Sequence, residues 1–139
     1  SEIDLTHIVA LEQQSDIREF IAQDSLEKHQ AKMKRDNTVY LSIEHDGDFA
    51  GYMILIHHPE TDSVECGRIV ISSRGKGIGQ QALKLMEDYC KATFGIQRIW
   101  LDVFDFNARG IHIYTKLGYQ QFDTGEYDGK TLLYLEKFV

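Results

Sequence analysis

One proline, Pro59, and two cysteines, Cys66 and Cys90, are all that the chain of 139 residues holds of these types. Helices and strands are thus rarely interrupted, and no proline-rich linker divides the chain. Two thiols cannot build a disulfide framework, and in a domain with a sizeable core they are expected to stay reduced, as in the cytosol. No apolar run approaches the length needed to cross a bilayer, and no charged-then-apolar leader opens the sequence. A cytoplasmic location with no membrane partner is therefore expected. Basic residues are also in short supply: 15 Lys and Arg stand against 22 Asp and Glu, a net charge of −7. Such a surface repels phosphate backbones and disfavours nucleic acid as a partner, whereas cationic amines would be drawn to it. What is abundant is apolar material, 42% of the residues. That is enough for one core, so residues 1–139 are read as a single domain.

The pattern along the chain changes period several times. Leu5 to about Arg35 reads as helical, with Ile8, Leu11, Ile17, Phe20 and Ile21 at helical intervals and Ser15 or Asp16 placed to cap a second segment. Thr38 to Glu44 and Phe49 to His57 read as strands around the hairpin signal Asp46-Gly47. Pro59 marks a turn, and Ser63 to Ser72 is a third strand. Ile78, Ala82, Leu85, Met86 and Tyr89 have the helical period, closed by Gly95. Arg98 to Phe104 alternates, with Ile99, Leu101 and Val103 on one face. Asn107 to Leu117 is helical and ends at Gly118. Tyr119 to Thr124 and Thr131 to Phe138 form a last hairpin around Asp128-Gly129. The order α-α-β-β-β-α-β-α-β-β predicts an α/β (α+β) fold, a mixed and mostly antiparallel sheet flanked by helices.

Arg74-Gly75-Lys76-Gly77-Ile78-Gly79 falls between a strand and an amphipathic helix. Glycines let a backbone approach a ligand closely, and the first N–H groups of a helix lack internal partners. With the helix dipole they make an anion site suited to a pyrophosphate. The Walker spacing is absent, and the dinucleotide Gly-x-Gly-x-x-Gly pattern fails because Gln80, Gln81 and Ala82 follow Gly79. The competing reading is a glycine-eased turn with no ligand.

This Arg-x-x-Gly-x-Gly turn resembles the pantetheine and pyrophosphate loop of the GNAT superfamily of N-acyltransferases. About thirty residues on, Asn107 followed by a helix carrying Tyr114 and ending in Leu117-Gly118-Tyr119 is similar to that superfamily's next motif. The resemblance spans Glu65 to Tyr119 and implies acetyl-CoA as cosubstrate, an amine as acceptor, and no metal. It implies that Ile69, Val70 and Ile71 offer a strand edge to pantetheine, and that Arg74 to Gly79 hold the pyrophosphate. Asn107, otherwise a helix N-cap, would contact the CoA arm, and Tyr114, otherwise a core aromatic, would protonate the leaving thiolate. Glu65 falls where several members carry a carboxylate base. Strand alternation would place it on one face with Gly67, Ile69 and Ile71, and the competing reading is a solvent-facing strand carboxylate.

His57 and His58 have no partners at metal-ligand spacing. His112 is offset by two from Tyr114, which points it elsewhere, and Cys66 reads as a plain strand thiol. A non-catalytic GNAT-like module that senses acyl-CoA is the main alternative, and the presence of Tyr114 speaks against it. The resemblance does not choose among protein N-termini, polyamines, antibiotics and amino acids, and it leaves a homodimer open. Acidic residues gather early, at Asp16, Glu19, Asp24 and Glu27, and late, at Asp123, Glu126 and Asp128. As a set they would steer a cationic acceptor; singly they read as solvated faces. Gly77→Glu puts bulk and negative charge where a phosphate would sit. It is expected to abolish the rise in melting temperature that CoA produces in a thermal-shift titration.

Overall fold

The computed structural model describes Ile8, residues 26–71 and residues 77–139. The expected early helices lie outside the described residues, apart from Ile8 and the last turns. Helix α1 covers Leu26–Met33, followed by strands β1 (Thr38–His45), β2 (Asp48–His58) and β3 (Ser63–Ile71). Helix α2 (Ile78–Phe94), strand β4 (Arg98–Phe104), helix α3 (Ala108–Lys116) and strands β5 (Gln120–Tyr127) and β6 (Lys130–Phe138) complete the chain. A short 3-10 turn, Pro59–Thr61, carries the proline at its start. From α1 onward, among the described residues, the expected order of elements is the observed one.

Six strands form one sheet in the order β1-β2-β3-β4-β6-β5. Only the β3–β4 pair is parallel, with α2 as its crossover; the other pairs run antiparallel. Both expected hairpin turns form, and each has two consecutive positive φ angles: 53° and 84° at Asp46 and Gly47, 51° and 75° at Asp128 and Gly129. That is the twist-matched turn that Asp-Gly favours.

One face of the sheet carries the main core. Met53, Leu55, Val64, Cys66, Ile99, Leu101, Val103 and Leu135 pack against Ile78, Ala82, Leu83, Met86 and Cys90 of α2. Ile111, Ile113 and Tyr114 of α3 join the same cluster. Each fully buried Leu or Met here contributes about 1.5–3 kcal/mol of transfer free energy. A buried polar knot ties α2 to the last strand. Tyr119 donates to Glu87 Oε2 at 2.9 Å, and Lys137 Nζ donates to Oε1 at 2.9 Å. On the other face, Ile8, Tyr52, Ile54 and Val70 make a smaller cluster. Beside it the buried His29 of α1 meets the Tyr40 hydroxyl at 2.7 Å.

Strand β3 does not alternate throughout. Ile54 pairs with Arg68 but Leu55 pairs with Cys66, so Gly67 is an extra residue on β3. This bulge reverses the faces beyond it. Val64 and Cys66 point into the main core, and so do Ile69 and Ile71. Glu65 therefore lies on the opposite face from Ile69 and Ile71, which corrects the expectation from simple alternation.

Close approach of β2 to β3 depends on Gly51, where a Cβ would run into the Val70 carbonyl oxygen. Gly51→Ala is expected to destabilise the protein by about 1–3 kcal/mol. A lowered midpoint in urea unfolding would show it.

Candidate functional site

The parallel pairing of β3 and β4 stops early. It joins Ser63 through Cys66 to Arg98 through Leu101 and goes no further. Beyond that point β3 stays with β2, while β4 stays with β6 through Phe104 and Leu132. The two strands part, and a cleft of about 840 Å³ opens between them. Gly67 to Ile71 form one wall, Leu101 to Phe104 the other, and Asn107, Gly110, Ile113 and Tyr114 of the α3 segment close a side. The edge of β3 that faces β4 is thus unpaired from Gly67 onward, in the stretch containing Ile69, Val70 and Ile71. An unpaired strand edge offers backbone N–H and C=O groups to an extended ligand.

Only the last part of the glycine turn, from Gly77, is described. Arg74, Gly75 and Lys76 lie outside the described residues. Gly77, Ile78 and Gly79 line the cleft, and Gly77, at φ 71°, precedes α2 with no side-chain cap. A positive φ suits glycine here, and the first N–H groups of a helix have no partner within the helix itself.

Asn107 is the expected N-cap and also stands on the cleft. Its Oδ1 accepts from Gly110 N at 3.0 Å as the N-cap of α3, and the residue also lines the cleft. Tyr114 lies on the same stripe of α3 two turns later. It is half-buried against the core, edge-on to Tyr119 at 6.1 Å, and lines the cleft beside Cys66. Burial pushes its hydroxyl pKa above the ordinary tyrosine value, with the Cys66 thiol and Asp102 adding to the shift. The phenol therefore keeps its proton across the neutral range. The Cys66 thiol is itself pushed up to about 12, chiefly by burial, and so is a poor nucleophile.

Sequence reasoning overlooked Asp102. It lines the cleft with Tyr114, and its carboxyl is pushed up to about 6, first by burial, then by Glu65, against the opposing charge of Arg68. Its signal was the only charged side chain between Arg98 and Phe104, placed on a central strand. Glu65 is not among the cleft-lining residues. It stands one step from Asp102 across the strands, since its register partner is Trp100. Its Oε1 meets His58 Nε2 at 3.0 Å, and His58 stacks on Trp100 at 5.8 Å. His57 instead stacks on Phe94 at 4.5 Å. His112, expected to point away, is exposed and lines the cleft mouth.

The face of β4 that carries Asp102 continues into β6 and β5 as a row of rings. Trp100 and Tyr134 are 6.3 Å apart, and Tyr134 and Phe122 are 6.2 Å apart. The Tyr134 hydroxyl pKa is raised by burial, and further by Asp102, Asp123 and Glu65. Of the acidic residues expected to steer an acceptor, Asp123 belongs to this group. Glu126 and Asp128 are exposed near the hairpin tip, and Glu27 is exposed on α1. Asp16, Glu19 and Asp24 lie outside the described residues.

The fold has close parallels among solved structures. A spermidine N-acetyltransferase from Vibrio cholerae, solved with CoA and spermine, superposes with a TM-score of 0.83 at 18% identity, covering 97% of this chain and 89% of that one. The ribosomal-protein-S18-alanine N-acetyltransferase of Escherichia coli gives 0.76 at 18% identity, with 99% and 91% covered. By sequence, streptothricin acetyltransferase of Streptomyces lavendulae is 28% identical over 86 residues, 60% of this chain and 45% of that protein. The spermine/spermidine N(1)-acetyltransferase of Bacillus subtilis is 26% identical over 104 residues, 69% of this chain and 68% of that protein. The chain thus spans between about half and two thirds of the relatives it matches. Residues 6–119 match the acetyltransferase (GNAT) family, and the chain belongs to that family.

Proposed function

We propose that the protein transfers an acetyl group from acetyl-CoA directly to a cationic primary amine. The observation that carries this reading is the parting of β3 and β4. It places an unpaired strand edge, a protonated tyrosine and an ionisable carboxylate around one cleft. Pantetheine would pair with the β3 edge at Ile69 to Ile71 and pass Asn107. Its pyrophosphate would rest on the turn from Arg74 to Gly79.

An alkylamine has a pKa of ~10 and arrives protonated, so a base is needed. We assign that role to Asp102 rather than to Glu65, because Asp102 lines the cleft. Desolvation lowers the amine's pKa while it raises the carboxylate's, so the gap between them narrows. The freed nitrogen attacks the thioester carbonyl and the C–S bond breaks. Of the two protons the ammonium loses, one leaves through Asp102 and the other ends on the CoA sulfur through Tyr114. Backbone N–H groups of the β3 edge would stabilise the oxygen that gains charge. Cys66 takes no part, since a thiol pushed up to about 12 does not form an acyl-enzyme near neutral pH. A sensor without turnover would have no use for the carboxylate and the tyrosine on one cleft.

Tyr114→Phe is expected to keep CoA affinity and lower kcat by about tenfold to a thousandfold. Full activity in that variant would remove the tyrosine from the mechanism. The pH profile tests the base. Asp102 accepts a proton only when ionised, so kcat/KM should rise with pH through an apparent pKa of about 6 and then level. In Asp102→Asn this limb should vanish, the rate at neutral pH should fall by about a hundredfold, and activity should instead track deprotonation of the amine. An unchanged limb in Asp102→Asn, with its loss in Glu65→Gln, would return the role to Glu65.

A further inference from the structure

We propose that Tyr119 is a positioning residue for acetyl transfer. Pinned by Glu87 and Lys137, it fixes the Tyr114 ring at the point where the thiolate leaves. This rests on the transferase reading and names what holds its proton donor in place.

No hydrogen bond aims the Tyr114 hydroxyl among the described residues, so packing places its ring. The aromatic ring it meets is that of Tyr119, edge-on at 6.1 Å and 63°. That separation and tilt fall in the range that aromatic pairs prefer. The two residues are also joined through the backbone. Gly118, at φ 100°, turns the chain back at the end of α3, and Tyr119 N donates to the Tyr114 carbonyl at 3.0 Å. Tyr119 is thus held against the helix end that carries Tyr114.

Tyr119 itself has no room to shift. It is fully buried, and its hydroxyl donates to Glu87 Oε2 at 2.9 Å. Lys137 Nζ donates to the other carboxylate oxygen at 2.9 Å and lies 5.8 Å from the Tyr119 ring. Glu87 is buried too, so these are charge-assisted bonds in a shielded place, where they are strongest. Three segments meet in this knot: β6, the end of α3, and α2, whose first residues line the cleft. A buried ion pair adds little stability over apolar residues of the same volume. What it adds here is direction, because a bonded phenol holds its ring in one orientation. Tyr119 is not among the residues lining the cleft, so it acts through Tyr114 and not on a substrate.

The test is a double-mutant cycle on kcat, with saturating acetyl-CoA, thiol detection, and butylamine, lysine and spermidine as acceptors. Tyr119→Leu should lower kcat by about tenfold to a hundredfold and leave KM for acetyl-CoA little changed. The acid limb assigned to Asp102 should keep its position. In the Tyr114→Phe background the same substitution should change kcat by less than about twofold, because the group it aims is gone. Glu87 keeps Lys137 as its partner throughout, so no buried charge is left unpaired. Tyr119→Phe retains the ring edge, should recover part of the loss, and carries the cycle should Tyr119→Leu fail to fold. Equal losses in both backgrounds would overturn the proposal, as would full kcat in Tyr119→Leu. Full activity of Tyr114→Phe would overturn it together with the tyrosine's acid role. Turnover of none of the amines would sink the transferase reading instead. The brace is then read from the Tyr114 ring by NMR with isotope-labelled tyrosine. A single resonance that broadens or splits in Tyr119→Leu supports it, and an unchanged resonance overturns it.

Discussion

The parting of β3 and β4 is the constraint on which the rest of the structure depends. Two parallel strands that paired to their ends would close the sheet and bury every backbone group on both edges. Here the pairing halts at Cys66 and Leu101, while β3 stays paired to β2 and β4 to β6 along their other edges. The bulge at Gly67 sits where the strands separate, and bulges bend and twist the strand that carries them. Everything of chemical interest collects at this fork. The main core lies behind it, α2 begins at its mouth, and α3 lies along its side.

The two faces of the fork differ in character. On the α2 side the walls are aliphatic and shielded, which explains why the Cys66 and Tyr114 protons are held so firmly. On the other side, Glu65, Asp102 and Asp123 surround a row of aromatic rings. Burial and mutual repulsion keep one carboxyl, Asp102, near the protonation balance point, with Arg68 limiting the shift. A single sheet thus has an aliphatic side and a charged, aromatic side at the same fork.

Much of this was legible from residue order. The alternation of Ile99, Leu101 and Val103 and the capping residues Asn107 and Gly95 express local rules, and the observed elements follow them. The hairpin turns Asp46-Gly47 and Asp128-Gly129 were equally plain. Gly77, Ile78, Gly79, Asn107 and Tyr114 were found because motif spacing carried them, and all line the cleft. Two things were hidden. The Gly67 bulge exists only relative to β2, so strict alternation assigned Glu65 to the wrong face. The row of rings depends on β6 inserting between β4 and β5, and that non-sequential order brings Trp100, Tyr134 and Phe122 together from three separate segments. Asp102 escaped notice because its weight comes from burial beside Glu65, and burial is a property of the assembled sheet.

Asn107 and Tyr114 share more than a cleft. They are seven residues apart, Tyr114 within α3 and Asn107 as its N-cap, held at the helix start by the bond from Gly110. At 1.5 Å per residue that is about 10.5 Å along the axis, and it cannot be stretched without breaking helical hydrogen bonds. Helix α3 is therefore a ruler for whatever extended molecule lies along it. On the proposed reading, the residue that would grip the arm and the residue that would deliver a proton stand at one fixed interval. An acyl carrier whose sulfur sits nearer to or farther from its amide groups would be gripped well and still present its sulfur at the wrong mark.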